Sequence, residues 1–81
     1  METQQSRVPL HTLPLGSTGR VAALLPDAQA RRRLIDLGIV DGTEICPLYR
    51  SPSGNPKAYL VRGAVIALRT DTAEKILITQ N

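Results

Sequence analysis

Residues 57–69 read Lys57-Ala58-Tyr59-Leu60-Val61-Arg62-Gly63-Ala64-Val65-Ile66-Ala67-Leu68-Arg69. Two short apolar runs meet at Gly63, a residue that permits a tight bend or a bulge. Short apolar runs bounded by turn residues are typical of β-strands. The stretch therefore predicts two strands, residues 57–62 and residues 64–69. The second run is apolar on both faces, which predicts a central position in the sheet.

Three other segments of the chain also have the composition of strands: residues 20–25, residues 43–50 and residues 76–79. Pro47 lacks an N–H group and cannot donate a ladder hydrogen bond, so its strand is expected at an edge of the sheet or with a bulge at that position. The segment Ser-Pro-Ser-Gly at residues 51–54 fits a type I turn. About five short strands in so small a chain favour a strongly bent antiparallel sheet that forms a small, partly closed barrel.

One segment has a clear helical pattern. Asp27 is a suitable N-cap, because a carboxylate there accepts from free N–H groups and faces the positive end of the helix dipole. Residues 28–37 form the predicted helix, with a narrow apolar stripe made of Ala30, Leu34 and Leu37. Gly38 suits the left-handed position that follows a helix. Ile35 lies off the stripe, which predicts that it is exposed.

The chain of 81 residues has room for one domain. We expect residues 1–9 to form a flexible leader and residues 10–81 to form the folded domain, with a short helical turn at residues 70–75. The predicted fold class is therefore mainly β: a small barrel of about five short antiparallel strands, one α-helix after the first strand, and short helical turns.

Composition narrows the classes of function. The chain is 42% hydrophobic, has no Trp or Phe, and carries a formal net charge of +3, so its core must be aliphatic and an acidic partner suits it. No apolar run approaches the ~20 residues that cross a bilayer. The single cysteine, Cys46, forms no internal disulfide, which fits a reducing cytosol.

Reactive side chains are too scarce for an enzyme. His11 is the only histidine, and no basic motif accompanies Cys46 to depress its thiol pKa. One His and one Cys give no zinc-ligand spacing, and the carboxylates are dispersed along the chain. The glycines of residues 16–19 lack the phosphate-binding loop pattern. We therefore expect no catalytic residue, no metal ligand, no cofactor and no small-molecule substrate.

Four blocks of residues resemble the FeoA family, ferrous iron transport protein A. Residues 31–45 are similar to its "RRLLDLGL-x-x-G-T-x-V" stretch, and residues 51–56 to its "P-x-G-D-P" loop. Residues 59–69 resemble its "V-R-G-x-x-I-A-L-R" hairpin, and residues 71–76 its "D-A-x-x-I" segment. The likeness covers about residues 10–79 in order, and Asn55 departs from it where the family often has Asp.

The resemblance implies an SH3-like β-barrel. It also implies a small cytosolic accessory protein of prokaryotic ferrous iron uptake, which docks to FeoB, a large membrane protein with an N-terminal GTPase domain, and supports or modulates its activity. Contact with the membrane would then occur only through that partner, and self-association stays open.

Two surfaces are candidates for docking. The arginine run of the helix with its apolar neighbours offers a basic face that could steer the protein to an acidic patch. The loop of residues 51–56 would border the groove where SH3-type barrels dock peptides. The predicted partner-binding residues are Arg31, Arg32, Arg33, Leu34, Ile35, Ser53, Asn55 and Tyr59. The position of Leu34 is ambiguous, since the apolar stripe assigns it to the core.

A small nucleic-acid-binding or peptide-binding SH3-like barrel is the alternative. Basic residues are scattered along the chain, and barrels of this size bind RNA through a basic groove with stacking aromatics. The net charge of +3 and the presence of only Tyr49 and Tyr59 as aromatics disfavour nucleic acid. The same scarcity of aromatics disfavours recognition of proline-rich peptides.

Overall fold

A computed structural model describes residues 6–25 and 27–80. Within those residues it contains six strands, two α-helices and one 3₁₀ turn: β1 (Arg7–Pro9), the 3₁₀ turn (Leu10–Thr12), β2 (Gly19–Leu24), α1 (Ala28–Asp36), β3 (Glu44–Arg50), β4 (Lys57–Val61), β5 (Ala64–Leu68), α2 (Thr70–Ala73) and β6 (Ile76–Gln80). The strands form one antiparallel sheet in the order β1-β6-β2-β3-β4-β5. The mainly-β fold class predicted from the sequence is confirmed.

Two predictions about the sheet are wrong. Arg7–Pro9 was assigned to the flexible leader, yet these residues pair with Thr79–Leu77 of β6 as the first strand. Residues 1–5, the rest of that leader, lie outside the described residues. The strand β5 was expected at the centre of the sheet, but it lies at one edge and pairs only with β4.

The other strand predictions agree with the structure in kind. The strand that carries Pro47 lies inside the sheet, and its register against β4 shifts between Pro47 and Tyr49, so the expected bulge is present. A turn closes at residues 51–54, where the Gly54 N–H donates to the Ser51 carbonyl at 2.8 Å. The β4–β5 hairpin turns through two residues, Arg62 and Gly63, whose φ angles are +52° and +83°. Positive φ at both positions is the geometry of a tight hairpin turn.

The core is almost wholly aliphatic, as the composition predicts. It consists of these buried residues: Leu10, Leu13, Val21, Leu34, Ile39, Ile45, Tyr59, Val61, Leu68, Ala73, Ile76 and Ile78. The 3₁₀ turn contributes Leu10, its C-cap residue is the buried Leu13, and α1 contributes Leu34. Burial of these side chains is the main favourable term in folding so small a domain.

Candidate docking surfaces

The helix α1 is fixed by its two ends and by one buried side chain. At its start, the Asp27 carboxylate accepts from the Ala30 N–H at 3.0 Å, as predicted for an N-cap. At its end, Gly38 has φ +92° and its N–H donates to the Ile35 carbonyl at 2.9 Å. Leu34, only 4% exposed, is the one buried residue of α1. The other residues of α1 are exposed, apart from the half-buried Ala30.

The outer face of α1 alternates cations with aliphatic side chains. Since successive residues turn about 100° around a helix axis, the exposed Arg31 and Ile35 share one flank of the face. By the same spacing Arg33 and Leu37 share the opposite flank, and Arg32 lies outermost. Ile35 is 45% exposed and Leu37 is 47% exposed. Leu37, which the sequence assigned to the apolar stripe, thus lies at the surface, on the flank of the helix that it shares with Arg33.

The positive charge of this face is balanced only in part, by the exposed Asp36, which lies four residues after Arg32 on the same side of the helix. Within residues 6–25 and 27–80, ion pairs within 4.0 Å join only Arg20 to Glu44 and Arg69 to Asp71, so the α1 arginines have no carboxylate at that distance. Three exposed guanidinium groups on three successive residues make a locally positive surface, and the two aliphatic side chains make it partly apolar. Such a surface suits an acidic protein patch with apolar residues at its centre.

Two of the predicted contact residues, Leu34 and Tyr59, are buried and so inaccessible to a partner. Leu34 packs in the core, which settles its ambiguous position in favour of the apolar stripe. Tyr59 is 1% exposed, because β4 directs it inward between Pro47 of β3 and Ile66 of β5. Burial raises the pKa of Tyr59. Its loss from the surface leaves Tyr49, 58% exposed, as the one tyrosine accessible for stacking.

The loop of residues 51–56 lies apart from α1 in the chain and is stabilised by a hydrogen bond within the loop. Ser53 is exposed, and its hydroxyl donates to the Asn55 carbonyl at 2.9 Å. The Asn55 side-chain carbonyl accepts from the Thr70 N–H at 3.0 Å, which connects the loop to the start of α2. Asn55 therefore stabilises the fold, and Ser53 remains the residue of this loop with an exposed side chain among those predicted to bind.

Sequence reasoning missed a second exposed apolar surface on the sheet. Strand pairing brings Cys46, Leu60 and Val65 into one row across β3, β4 and β5 on the outer face. Leu60 is 39% exposed and Val65 is 57% exposed. An open depression of about 420 Å³ adjoins the row, lined by Gly42, Thr43, Glu44, Leu60, Arg62 and Gly63. Alternation along the strands could have suggested this row, but only the pairing register aligns it.

No group of three or more His, Cys, Asp or Glu side chains in residues 6–25 and 27–80 is placed to hold a metal ion. The buried Lys57 donates to the His11 carbonyl at 3.1 Å, and burial, with a smaller contribution from Arg50, lowers its pKa. That contact connects the 3₁₀ turn to β4.

None of the helices in the described part of the chain is long and apolar enough to span a membrane.

Comparison with known proteins decides the family. The sequence model of the FeoA domain matches residues 8–80, nearly the whole chain. The chain belongs to the FeoA family. The FeoA-like protein of Clostridium acetobutylicum is 32% identical to this FeoA protein, with 96% of this chain and 90% of that chain covered and a TM-score of 0.84. A search of curated proteins gave no match.

A further relative has an SH3 fold. The FeoA of Stenotrophomonas maltophilia, solved with zinc, is 30% identical, with 85% of this chain and 86% of that chain covered and a TM-score of 0.70. It is described as a prokaryotic SH3 domain protein with a suggested role as a bacterial ferrous iron transport activating factor. A manganese-dependent transcriptional repressor shares the fold alone, at 22% identity over 98% of this chain and 44% of that chain, with a TM-score of 0.82.

Proposed function

We propose that this FeoA protein works by docking onto FeoB, the GTPase-transporter of ferrous iron uptake, and that it supports or modulates transport without chemistry of its own. Membership of the FeoA family links the chain to ferrous iron transport. The Stenotrophomonas relative, with its suggested role as an activating factor, supports an accessory role. The placement of the protein at the cytoplasmic side of the membrane is part of the same proposal.

The outer face of α1 is the surface that we propose for this contact. One observation carries the choice: α1 is held by the single buried Leu34, while Arg31, Arg32, Arg33 and Ile35 are all exposed. Contacts near the centre of an interface are enriched in Arg and in apolar residues, and positive charge on the rim speeds encounter with an acidic partner. Ser53 in the loop of residues 51–56 is left as a secondary contact.

The test is binding of the full chain to the purified FeoB GTPase domain and to the full transporter from the same organism. The triple variant Arg31→Ala, Arg32→Ala, Arg33→Ala should lose affinity by at least about tenfold, which corresponds to about 0.5 kcal/mol for each cation. Added salt should weaken the wild-type complex more than the variant complex, because the lost contacts are electrostatic.

A matched control variant distinguishes the effect of the α1 surface from the effect of net charge. The control variant Arg7→Ala, Arg50→Ala, Lys75→Ala also removes three positive charges, but from exposed positions outside α1. It should bind almost as well as the wild-type protein. Equal loss in both variants would show that net charge alone drives binding, and full binding by a folded α1 variant would remove the helix face from the interface.

A further inference from the structure

The free edge of β5 is the least protected part of the sheet. Within residues 6–25 and 27–80, the backbone of β5 is hydrogen-bonded to β4 alone. Edge strands are usually guarded by charge, Pro or a bulge. The opposite edge, β1, has Arg7 and Pro9, whereas β5 consists of Ala64-Val65-Ile66-Ala67-Leu68 and has none of these features. Its exposed backbone groups are therefore open to another strand.

The hairpin geometry defines which groups are open. A two-residue turn makes Val61 and Ala64 the closing hydrogen-bonded pair of the β4–β5 ladder. Because hydrogen-bonded and non-hydrogen-bonded pairs alternate in an antiparallel ladder, the N–H and C=O groups of Val65 and Ala67 point away from β4. An added strand would bond to these two residues and would continue the outer apolar row that ends at Val65.

Charge at the two ends of β5 indicates the occupant. Arg62 precedes the strand and Arg69 follows it, and both are exposed. The Asp71 carboxylate lies 3.9 Å from the Arg69 guanidinium, a distance at which an exposed pair contributes little. Antiparallel pairing of β5 with a second copy, centred on Ile66, would bring Arg62 of each copy towards Arg69 of the other. Like charges at both ends oppose such a dimer.

We propose that the β5 edge binds an extended segment of a partner protein, apolar in its middle and flanked by carboxylates at both ends. In either strand direction, such a segment would place one acidic group near Arg62 and one near Arg69. Main-chain hydrogen bonds to Val65 and Ala67 would supply affinity, and the flanking charges would supply selectivity. The main-chain hydrogen-bonding groups of this site belong to β5 and none belongs to α1, so either proposal can fail without the other.

The test uses two synthetic peptides with alternating valine and threonine in the middle. One has two glutamates at each end and the other has two lysines at each end. The glutamate peptide should shift the backbone amide signals of Val65 and Ala67 and slow their hydrogen exchange. Its affinity should exceed that of the lysine peptide by at least about fivefold, since two exposed charge pairs together contribute about 1 kcal/mol.

Two variants test the edge itself. Ala67→Pro removes an N–H group that has no partner in β4, and Val65→Lys places a charge at a position that is 57% exposed. Each should abolish binding of the glutamate peptide while the unbound domain stays folded, and one folded variant suffices for the comparison. Equal binding of both peptides, or no binding of the glutamate peptide at millimolar concentration, would overturn the proposal. So would concentration-dependent protection of Val65 and Ala67 without peptide, because a second copy would then cover the edge.

Discussion

Replacement of Leu34 by Ala tests how α1 is attached to the barrel. Leu34 is 4% exposed and is the only buried residue of the helix, so its truncation removes the one side chain that α1 contributes to the core. Truncation of a buried Leu to Ala costs about 2–5 kcal/mol, depending on how far the cavity collapses. A domain of 81 residues has a total stability of roughly 4–12 kcal/mol. The loss is therefore a large part of the whole.

The matched control is Ile35→Ala, the next residue on the same helix. Ile35 is 45% exposed, so its truncation removes far less buried area and should cost less than about 1 kcal/mol. Urea unfolding of both variants gives the free energies, and a fall in melting temperature of more than about 8 °C is expected for Leu34→Ala alone.

The two variants should also differ in binding to FeoB. Ile35→Ala should weaken the complex, because Ile35 belongs to the outer face, while its free energy of unfolding stays near that of the wild type. Equal destabilisation by Leu34→Ala and Ile35→Ala, within about 0.5 kcal/mol, would refute the assignment of Leu34 as the anchor of α1.

Three further predictions concern single residues. Asp27→Ala should lower the free energy of unfolding by about 1 kcal/mol in urea, because the N-cap bond to the helix is lost. Gly38→Ala should lower the free energy of unfolding more than Gly54→Ala. Both glycines have φ near +90°, but of the two only Gly38 would bring an added Cβ against a side chain, at 2.8 Å. Comparable losses of stability would show that backbone strain alone determines the cost. Tyr59→Phe should remove a loss of stability above about pH 10, measured by urea unfolding across that range. The sign follows from the raised pKa of Tyr59: the unfolded chain loses the phenolic proton first, so wild-type stability falls as pH rises towards the folded-state pKa.

Local features of the chain were predictable because local chemistry determines them. The N-cap at Asp27, the left-handed Gly38 and the turn at Gly63 each depend on one or two residues with special backbone or capping properties. The bulge beside Pro47 follows in the same way from a missing N–H group. The strand patterns predicted a small barrel, and the motifs that resemble the FeoA family then implied its SH3-like type.

Positions that depend on long-range pairing were not predictable. The residues of β5 are apolar on both faces, yet the strand lies at an edge of the sheet. No local signal in the sequence shows which strands are neighbours. Tyr59 was assigned to a binding groove. Its pairing with Pro47 and Ile66 instead directs its side chain to the inner face of the sheet, where it is buried. The outer apolar row on the sheet was missed for the same reason.

Arg62 connects the two proposed surfaces, and this connection can be tested. Its Cδ lies 2.8 Å from the position that a Cβ on Gly38 would occupy, so the Arg62 stem lies over the end of α1 while its backbone forms the β4–β5 turn. A peptide at the β5 edge whose carboxylate draws on the Arg62 guanidinium should therefore shift the Gly38 amide signal as well as those of β5. Arg62→Gly keeps the positive φ without strain and removes the side chain, so the peptide should then leave Gly38 unchanged. A Gly38 shift of the same size in that variant would show that the effect travels through the sheet and not through Arg62.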